Sequence, residues 1–315
     1  MAKNVVVCRV KPQLIRKKTI IRTTPTVNVV TQPSKQKVVR LQDVRPTRNK
    51  PRPTSSQAAA PVVVQPKNIK RRGGIRKKTQ VQHRTSNPDP ASLDKTKAIQ
   101  GLGRNKVLII VGNGPSIAEA PLDELKNIPG IEIMSINRPD ERLWPTTYWS
   151  FFDLSQMRRH EKLWDNYEGY IFNSTAIRRQ KTKSIQFKNL IGQGWSRDLC
   201  KGLHIGRSSV YAAMQIAMWM QFSHVYIFGC DMNQHGIDGK LHFYGTNPDV
   251  DPNIRAQRFK KESEFYVQAA EVLTEEERAK FTFATDYNPW DFVNKYNQVS
   301  HKSVDNIITL AQSLS

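Results

Sequence analysis

The chain has 315 residues and a formal net charge of +22, from 49 Lys and Arg against 27 Asp and Glu. That excess lies in the first third: residues 1–106 hold 26 basic and 3 acidic side chains, and the remainder holds 23 and 24. No run approaches the ~18 apolar residues of a membrane span, the N-terminus lacks a secretory apolar region, and Cys8, Cys200 and Cys230 have no metal-ligand spacing. A membrane protein, a disulfide scaffold and a structural zinc site are thereby excluded as expectations, and a reducing compartment fits best.

Residues 1–104 contain no Phe, Trp or Tyr, the first aromatic residue being Trp144. High charge, frequent Pro and repeated Ser, Thr and Gln without aromatic side chains predict an arm that is disordered when free. Short valine runs at 5–7, 27–30, 38–39 and 62–64 are too brief and too often interrupted by Pro to form a sheet alone. They can add as strands to a neighbouring subunit, in a homo-oligomer or a larger assembly. The densest charge, residues 67–78, includes Lys70, Arg71, Arg72, Arg76, Lys77 and Lys78. Such a segment suits sequence-independent contact with nucleic acid or another polyanion, by counterion release rather than base stacking. The competing expectations are a solvated tail that only maintains solubility and, for a much shorter segment, an organellar targeting peptide.

Residues 105–315 are enough for one domain of ordinary size. The run Val107–Val111 predicts a buried parallel strand entering a glycine turn and then a helix, with Pro115 at its first position. Gly112 and Gly114 permit positive φ and close approach of a ligand to bare backbone, so the turn (Gly112, Asn113, Gly114 and Ser116) is expected to cradle a phosphate. A dinucleotide fingerprint is not met. Ile117 stands where a third glycine is required, and the second strand, Ile131–Ile136, ends in Asn137 and Arg138 rather than an acidic residue. A mononucleotide or nucleotide-sugar ligand stays open, beside a merely structural strand-to-helix turn.

Pro121 predicts a short or broken first helix. Further strands are expected at 147–152 and 169–172, with a helix at 154–164 between them. Strand carboxyl ends then deliver Asn113, Asn137, Asp153 and Asn173 to one edge, where each is either a ligand contact or an ordinary turn residue. Residues 176–203, basic and without periodicity, read as an exposed insertion. Residues 208–222 are apolar almost all round and predict a central buried helix whose Met residues are core filler. Its entry, Gly206-Arg207-Ser208-Ser209, places Arg207 and Ser208 at a positive dipole end, where serine caps suffice structurally but Arg207 points to an anion. A strand at 225–228 runs into Asp231 and a polar loop with His235, His242 and Tyr244. Asp231 and the histidines are candidates for proton transfer or a metal, although no known metal spacing is matched, and no metal is expected. An amphipathic helix at 255–273, a strand Phe281–Ala284 and helices at 290–296 and 304–314 complete an α/β fold: a Rossmann-like, mostly parallel sheet with helices on both faces, behind a long disordered basic arm.

Val-Gly-Asn-Gly-Pro-Ser after the first strand, Asn137, Gly206-Arg207-Ser208-Ser209-Val210-Tyr211, and Ile227-Phe228-Gly229-Cys230-Asp231 resemble one Rossmann-like family. It comprises bacterial CMP-sialic acid sialyltransferases, archaeal MptE-like 6-hydroxymethylpterin diphosphokinases and proteins of tailed phages. The resemblance spans roughly residues 106–290. It implies a CMP-type nucleotide or nucleotide-sugar ligand contacted by Asn113, Asn137 and Ser208, and a Tyr244 that polarises the leaving phosphate. The family's general-base histidine, expected at the start of the helix after the polar loop, is replaced by Asn253-Ile254-Arg255-Ala256. Either His242 or Asp231 takes that role, the reaction differs, or activity is lost. Two functions follow as expectations, both compatible with a phage-encoded protein in the host cytoplasm or the virion. One is a glycosyltransferase-like, nucleotide-sugar-dependent protein with a nucleic-acid-binding arm. The other is a non-catalytic virion or morphogenesis protein whose arm contacts DNA or neighbouring subunits.

Overall fold

The computed structural model describes residues 87–177, 183–245 and 251–314, all within one unit, Arg76–Ser315. The valine runs and the basic cluster Lys70, Arg71, Arg72, Arg76, Lys77 and Lys78 lie outside the described residues, as do Arg178, Arg179 and Lys181.

The first element revises the domain boundary drawn at 104. Helix α1 (Pro90–Ala98) starts on Pro90 with Asp89 as N-cap, its carboxylate accepting from Ser92 N at 2.6 Å. It belongs to the folded domain although it has no apolar stripe, because polar bonds from one hydroxyl and one carbonyl anchor it. Ser92 Oγ donates to Gln186 O (3.1 Å) and accepts from Gln186 N (2.7 Å), while Trp219 Nε1 donates to Thr96 O at 2.7 Å.

Strands β1 (Val107–Val111), β2 (Ile131–Ile136) and β3 (Tyr148–Ser150) follow. Helices α2 (Leu154–Arg159) and α3 (Glu161–Asn166) replace the single helix expected at 154–164, with a break at His160, where φ is −116° and ψ 29°. Then come β4 (Tyr170–Ser174), β5 (Ser184–Phe187), α4 (Ser209–Trp219) and β6 (His224–Phe228). Helices α5 (Pro252–Val272) and α6 (Glu275–Ala279), strands β7 (Phe281–Ala284) and β8 (Asn297–Val299), and helix α7 (Asp305–Leu314) close the chain. All eight strands form one sheet in the order β5-β4-β3-β2-β1-β6-β7-β8, and every pairing is parallel. The fold is thus the expected Rossmann-like α/β architecture. Chain order reverses between β1 and β6, which opens a crevice at their carboxyl ends.

Alternate residues of β1 feed two cores. Leu108 and Ile110 pack with α4 and α5 on one face, and Val107, Ile109 and Val111 pack with Ile307 and Ala311 of α7 on the other. A strand covered on both faces has no polar side, which is why its sequence is uninterrupted Val, Leu and Ile. α4 buries eight of its residues beneath the sheet, as its composition predicts.

Two further expectations fail. β5 is a fully buried strand, not part of an exposed insertion. No α-helix follows β1: Pro115–Ala118 is a single 3-10 turn, followed by a second at Leu122–Leu125. The buried Asp140 holds Arg142 at 2.9 Å, and that guanidinium takes the Ile117 carbonyl (2.6 Å) and the Ala120 carbonyl (3.2 Å). These bonds satisfy the turn's carbonyls where a continuing helix would have used them. Among the described residues, no helix is long and apolar enough to cross a membrane.

Candidate functional site

A cleft of about 910 Å³ lies over the β1/β6 crevice, between the sheet edge, the entry to α4 and the first turns of α5. That volume suits a nucleotide-sized molecule. The sequence candidates Asn113, Gly114, Asn137, Asp153, Arg207 and Ser208 line it, and so do Asp231, His242 and Tyr244. Gly112 and Ser116 lie behind it. Asn173 lies inside β4, buried, donating to Ser184 Oγ at 3.2 Å, and His235 is exposed on the loop.

The glycine turn is not the open cradle the sequence suggests. Gly112 N donates to Phe228 O and Gly114 N to Gly229 O, both at 2.8 Å. Ser116 gives its N–H to Asp231 Oδ2 (2.9 Å) and its hydroxyl to Asp231 Oδ1 (2.7 Å), and Thr285 Oγ1 adds a third bond at 3.0 Å. The anion held by this turn is the protein's own Asp231. The glycines are required for a different reason than positive φ, since Gly114 has φ −64°. A Cβ on Gly112 would come 2.5 Å from Gly229 O, and one on Gly114 would come 2.3 Å from Asp231 Oδ2. Two strand ends cross there with no room for a side chain. Burial pushes the Asp231 carboxyl up, and the three donors pull it back.

The asparagines fix the rim. Asn113 Nδ2 donates to Arg138 O at 2.9 Å, and Asn113 O accepts from Phe243 N at 3.2 Å. Asn137, in the left-handed region at φ 54°, accepts from Ser209 Oγ at 3.2 Å and so joins β2 to α4. Asp153 caps α2, accepting from Ser155 N at 2.8 Å. At the mouth, Tyr244 stacks on His242 with ring centroids 5.0 Å apart, and Arg138 lies 4.8 Å from the tyrosine ring centre. Burial lowers the proton affinity of His242, the Asn113 backbone works against this, and the nearby Arg258 and Arg255 lower it further.

Cations dominate the remaining wall. Gly206 (φ 59°) and Arg207 (φ 61°) form a tight turn closed by Ser208 N donating to Ile205 O at 3.0 Å. Two consecutive positive φ angles define a type I′ turn, where Asn or Gly is usual. An arginine there costs about 1–2 kcal/mol of backbone strain, which points to a use for its side chain. Among the described residues, Arg159, Arg207 and Arg258 make no ion pair, and all three reach the cleft. Ser208 occupies the N-cap position of α4 without making a cap bond, so the amides of that helix start face the same space.

Arg159, Arg258 and Glu262 line the cleft without having been singled out by the sequence. Glu262, on α5, is only 6% exposed, and burial raises its carboxyl to about 7 against the Ser208 hydroxyl and the charge of Arg258, which both lower it. Its signal was available: Phe259, Glu262, Tyr266, Ala269 and Leu273 follow helical spacing, which puts a carboxylate on the buried stripe. Among the described residues, no three His, Cys, Asp or Glu side chains are grouped to hold a metal.

The all-parallel sheet with its switch point makes the domain a Rossmann-like α/β fold, with the cleft at the strand carboxyl ends. Comparison with known proteins matched no family model, no curated protein and no solved structure.

Proposed function

We propose that the domain binds a nucleotide or nucleotide-sugar and acts as a glycosyltransferase-like protein, with the phosphate against Arg207, Arg258 and the start of α4. The observation that carries this reading is the convergence of Arg159, Arg207 and Arg258, none of them in a direct ion pair among the described residues, on one nucleotide-sized cleft. Charged hydrogen bonds of this kind contribute about 1.5–3 kcal/mol each, and a departing phosphate gains most from donors already in place. The stacked His242 and Tyr244 offer a planar, half-exposed surface at the mouth for a base or sugar ring. A CMP-type ligand and a phage origin rest on the resemblance described above. The arm adds nucleic-acid binding to the proposal through its charge alone.

The test is thermal stabilisation of the full chain by CMP, CTP, ATP, GTP and CMP-, UDP- and GDP-sugars. A true ligand at 100 times its Kd stabilises by about 2.7 kcal/mol. One observation favours the second reading, a virion or morphogenesis protein without catalysis: the glycine turn is filled by Asp231 and offers a phosphate no free amide cradle. No shift with any of these compounds selects that reading.

A further inference from the structure

We propose that Glu262 is the general base of the transfer reaction, taking the proton from the acceptor hydroxyl, and that Ser208 and Tyr266 hold its carboxylate in position. The inference rests on the nucleotide-sugar reading and supplies the group that reading lacks.

Location comes first. Glu262 lines the cleft from α5, on a stripe whose other members, Phe259, Tyr266, Ala269 and Leu273, pack into the core. A carboxylate on such a stripe is costly unless it is hydrogen-bonded and has a use. Its support is built from two elements: Ser208 lines the same cleft from the α4 entry and its hydroxyl favours the charged carboxylate, and Tyr266 OH donates to Ser208 Oγ at 3.1 Å. Tyr266 is fully buried, so the pair is held from within the core. Ser208 is also the N-cap residue that makes no cap bond. Its hydroxyl accepts from Tyr266 rather than from the helix amides, which standard capping does not explain.

The other acid–base groups of the cleft are committed elsewhere. Asp231 accepts from Ser116 N, Ser116 Oγ and Thr285 Oγ1. Asp153 is exposed and caps α2. His242 is stacked on Tyr244 at the mouth, and the Asn113 backbone favours its charged form. Facing Glu262 are Arg258 and Tyr266 from its own helix, Ser208 from the α4 entry, and Cys230 from the turn after β6. Burial sets its carboxyl at about 7, where a base both accepts and releases a proton at neutral pH.

In the step, the acceptor O–H proton passes to the Glu262 carboxylate. The acceptor oxygen uses the freed pair to bond the anomeric carbon, and the bond from that carbon to the nucleotide phosphate oxygen breaks. Its electron pair leaves with the phosphate, whose charge meets Arg207 and the first-turn amides of α4.

The experiment uses the full chain with CMP-, UDP- and GDP-sugars, reading nucleotide release with water or a free saccharide as acceptor, and calorimetric affinity for the matching nucleotide. Glu262→Gln is expected to bind that nucleotide within about threefold of wild type and to release it about 10²–10⁴-fold more slowly. The wild-type kcat/KM is expected to fall tenfold per pH unit below about 7, a limb that Glu262→Gln loses and Glu262→Asp restores in part. Ser208→Ala is expected to shift that limb. If Glu262→Gln turns over within threefold of wild type, or a wild type that binds a donor releases no nucleotide, the base assignment is overturned while the nucleotide reading stands. If wild type binds none of these compounds, the nucleotide reading fails and takes the base with it. Should Glu262→Gln not fold, Glu262→Asp decides: unchanged rate and pH limb overturn the proposal.

Discussion

Replacing Gly114 by Ala separates a structural turn from a ligand cradle. The residue sits at φ −64° and ψ 154°, ordinary extended backbone for alanine, so the substitution brings no conformational strain. Its whole effect comes from where the new methyl goes: 2.3 Å from Asp231 Oδ2 and 2.7 Å from the Gly229 carbonyl. One contact is a backbone atom, and the other is a carboxylate fixed by three hydrogen bonds, so neither yields cheaply. Overpacking of this kind costs about 1–3 kcal/mol. Displacing Asp231 also weakens its bonds to Ser116 N and Oγ, and hydrogen bonds to a charged group are worth about 1.5–3 kcal/mol. A loss of about 3 kcal/mol corresponds to a fall in melting temperature of roughly 6–12 °C for a domain of this size. The assay is thermal unfolding of the full chain, without ligand, followed by circular dichroism. A variant that melts within 2 °C of wild type yet loses stabilisation by nucleotides refutes the reasoning, because the space beside Gly114 would then serve a ligand and not Asp231.

Other perturbations test the site and the arm. Arg207→Gly relieves a left-handed arginine and is expected to stabilise the domain by about 1 kcal/mol while weakening nucleotide binding roughly 10–100-fold; paired urea melts and calorimetry check both, and equal affinity refutes the phosphate assignment. Burial raises the Glu262 carboxyl from its ordinary 4.5 to about 7 in the folded state, so its contribution to stability is complete below 4.5 and is lost as pH rises through 7. That window is worth on the order of 3 kcal/mol, and Glu262→Gln is expected to flatten the stability profile between pH 4.5 and 8 in urea melts; an unchanged slope contradicts the burial argument. Alanine at Lys70, Arg71, Arg72, Arg76, Lys77 and Lys78 together is expected to weaken DNA binding and to reduce the slope of log K against log salt by up to about 5, with an unchanged slope locating the phosphate contacts elsewhere.

Which elements could be read in advance follows from how each is stabilised. β1, β2, β6, β7 and α4 are stabilised by continuous apolar burial, and that is written directly in residues such as Val107–Val111. The cleft residues were legible because strand carboxyl ends are fixed by topology, which brought Asn113, Asn137, Asp153 and Arg207 to one place. α1, β5 and β8 were not. α1 is anchored through the Ser92 hydroxyl and the Thr96 carbonyl, β5 is only four residues long beside a lysine, and β8 is a polar edge strand, so none carries a hydrophobic period. Glu262 was overlooked because a Glu on an amphipathic helix ordinarily faces water, although its spacing with Phe259, Tyr266 and Ala269 puts it on the buried stripe. The glycine turn misled for a chemical reason: backbone amides that hold a ligand phosphate hold an internal carboxylate equally well.

The Ser92 contact bears on how the molecule meets its neighbours. The edge of β5 exposes the N–H and C=O of Gln186, and a single hydroxyl takes both. An incoming strand from another copy must therefore dislodge α1 before it can pair there. Growth of the sheet from that side is gated by a local unfolding step, and the helix acts as a removable plug against templated association.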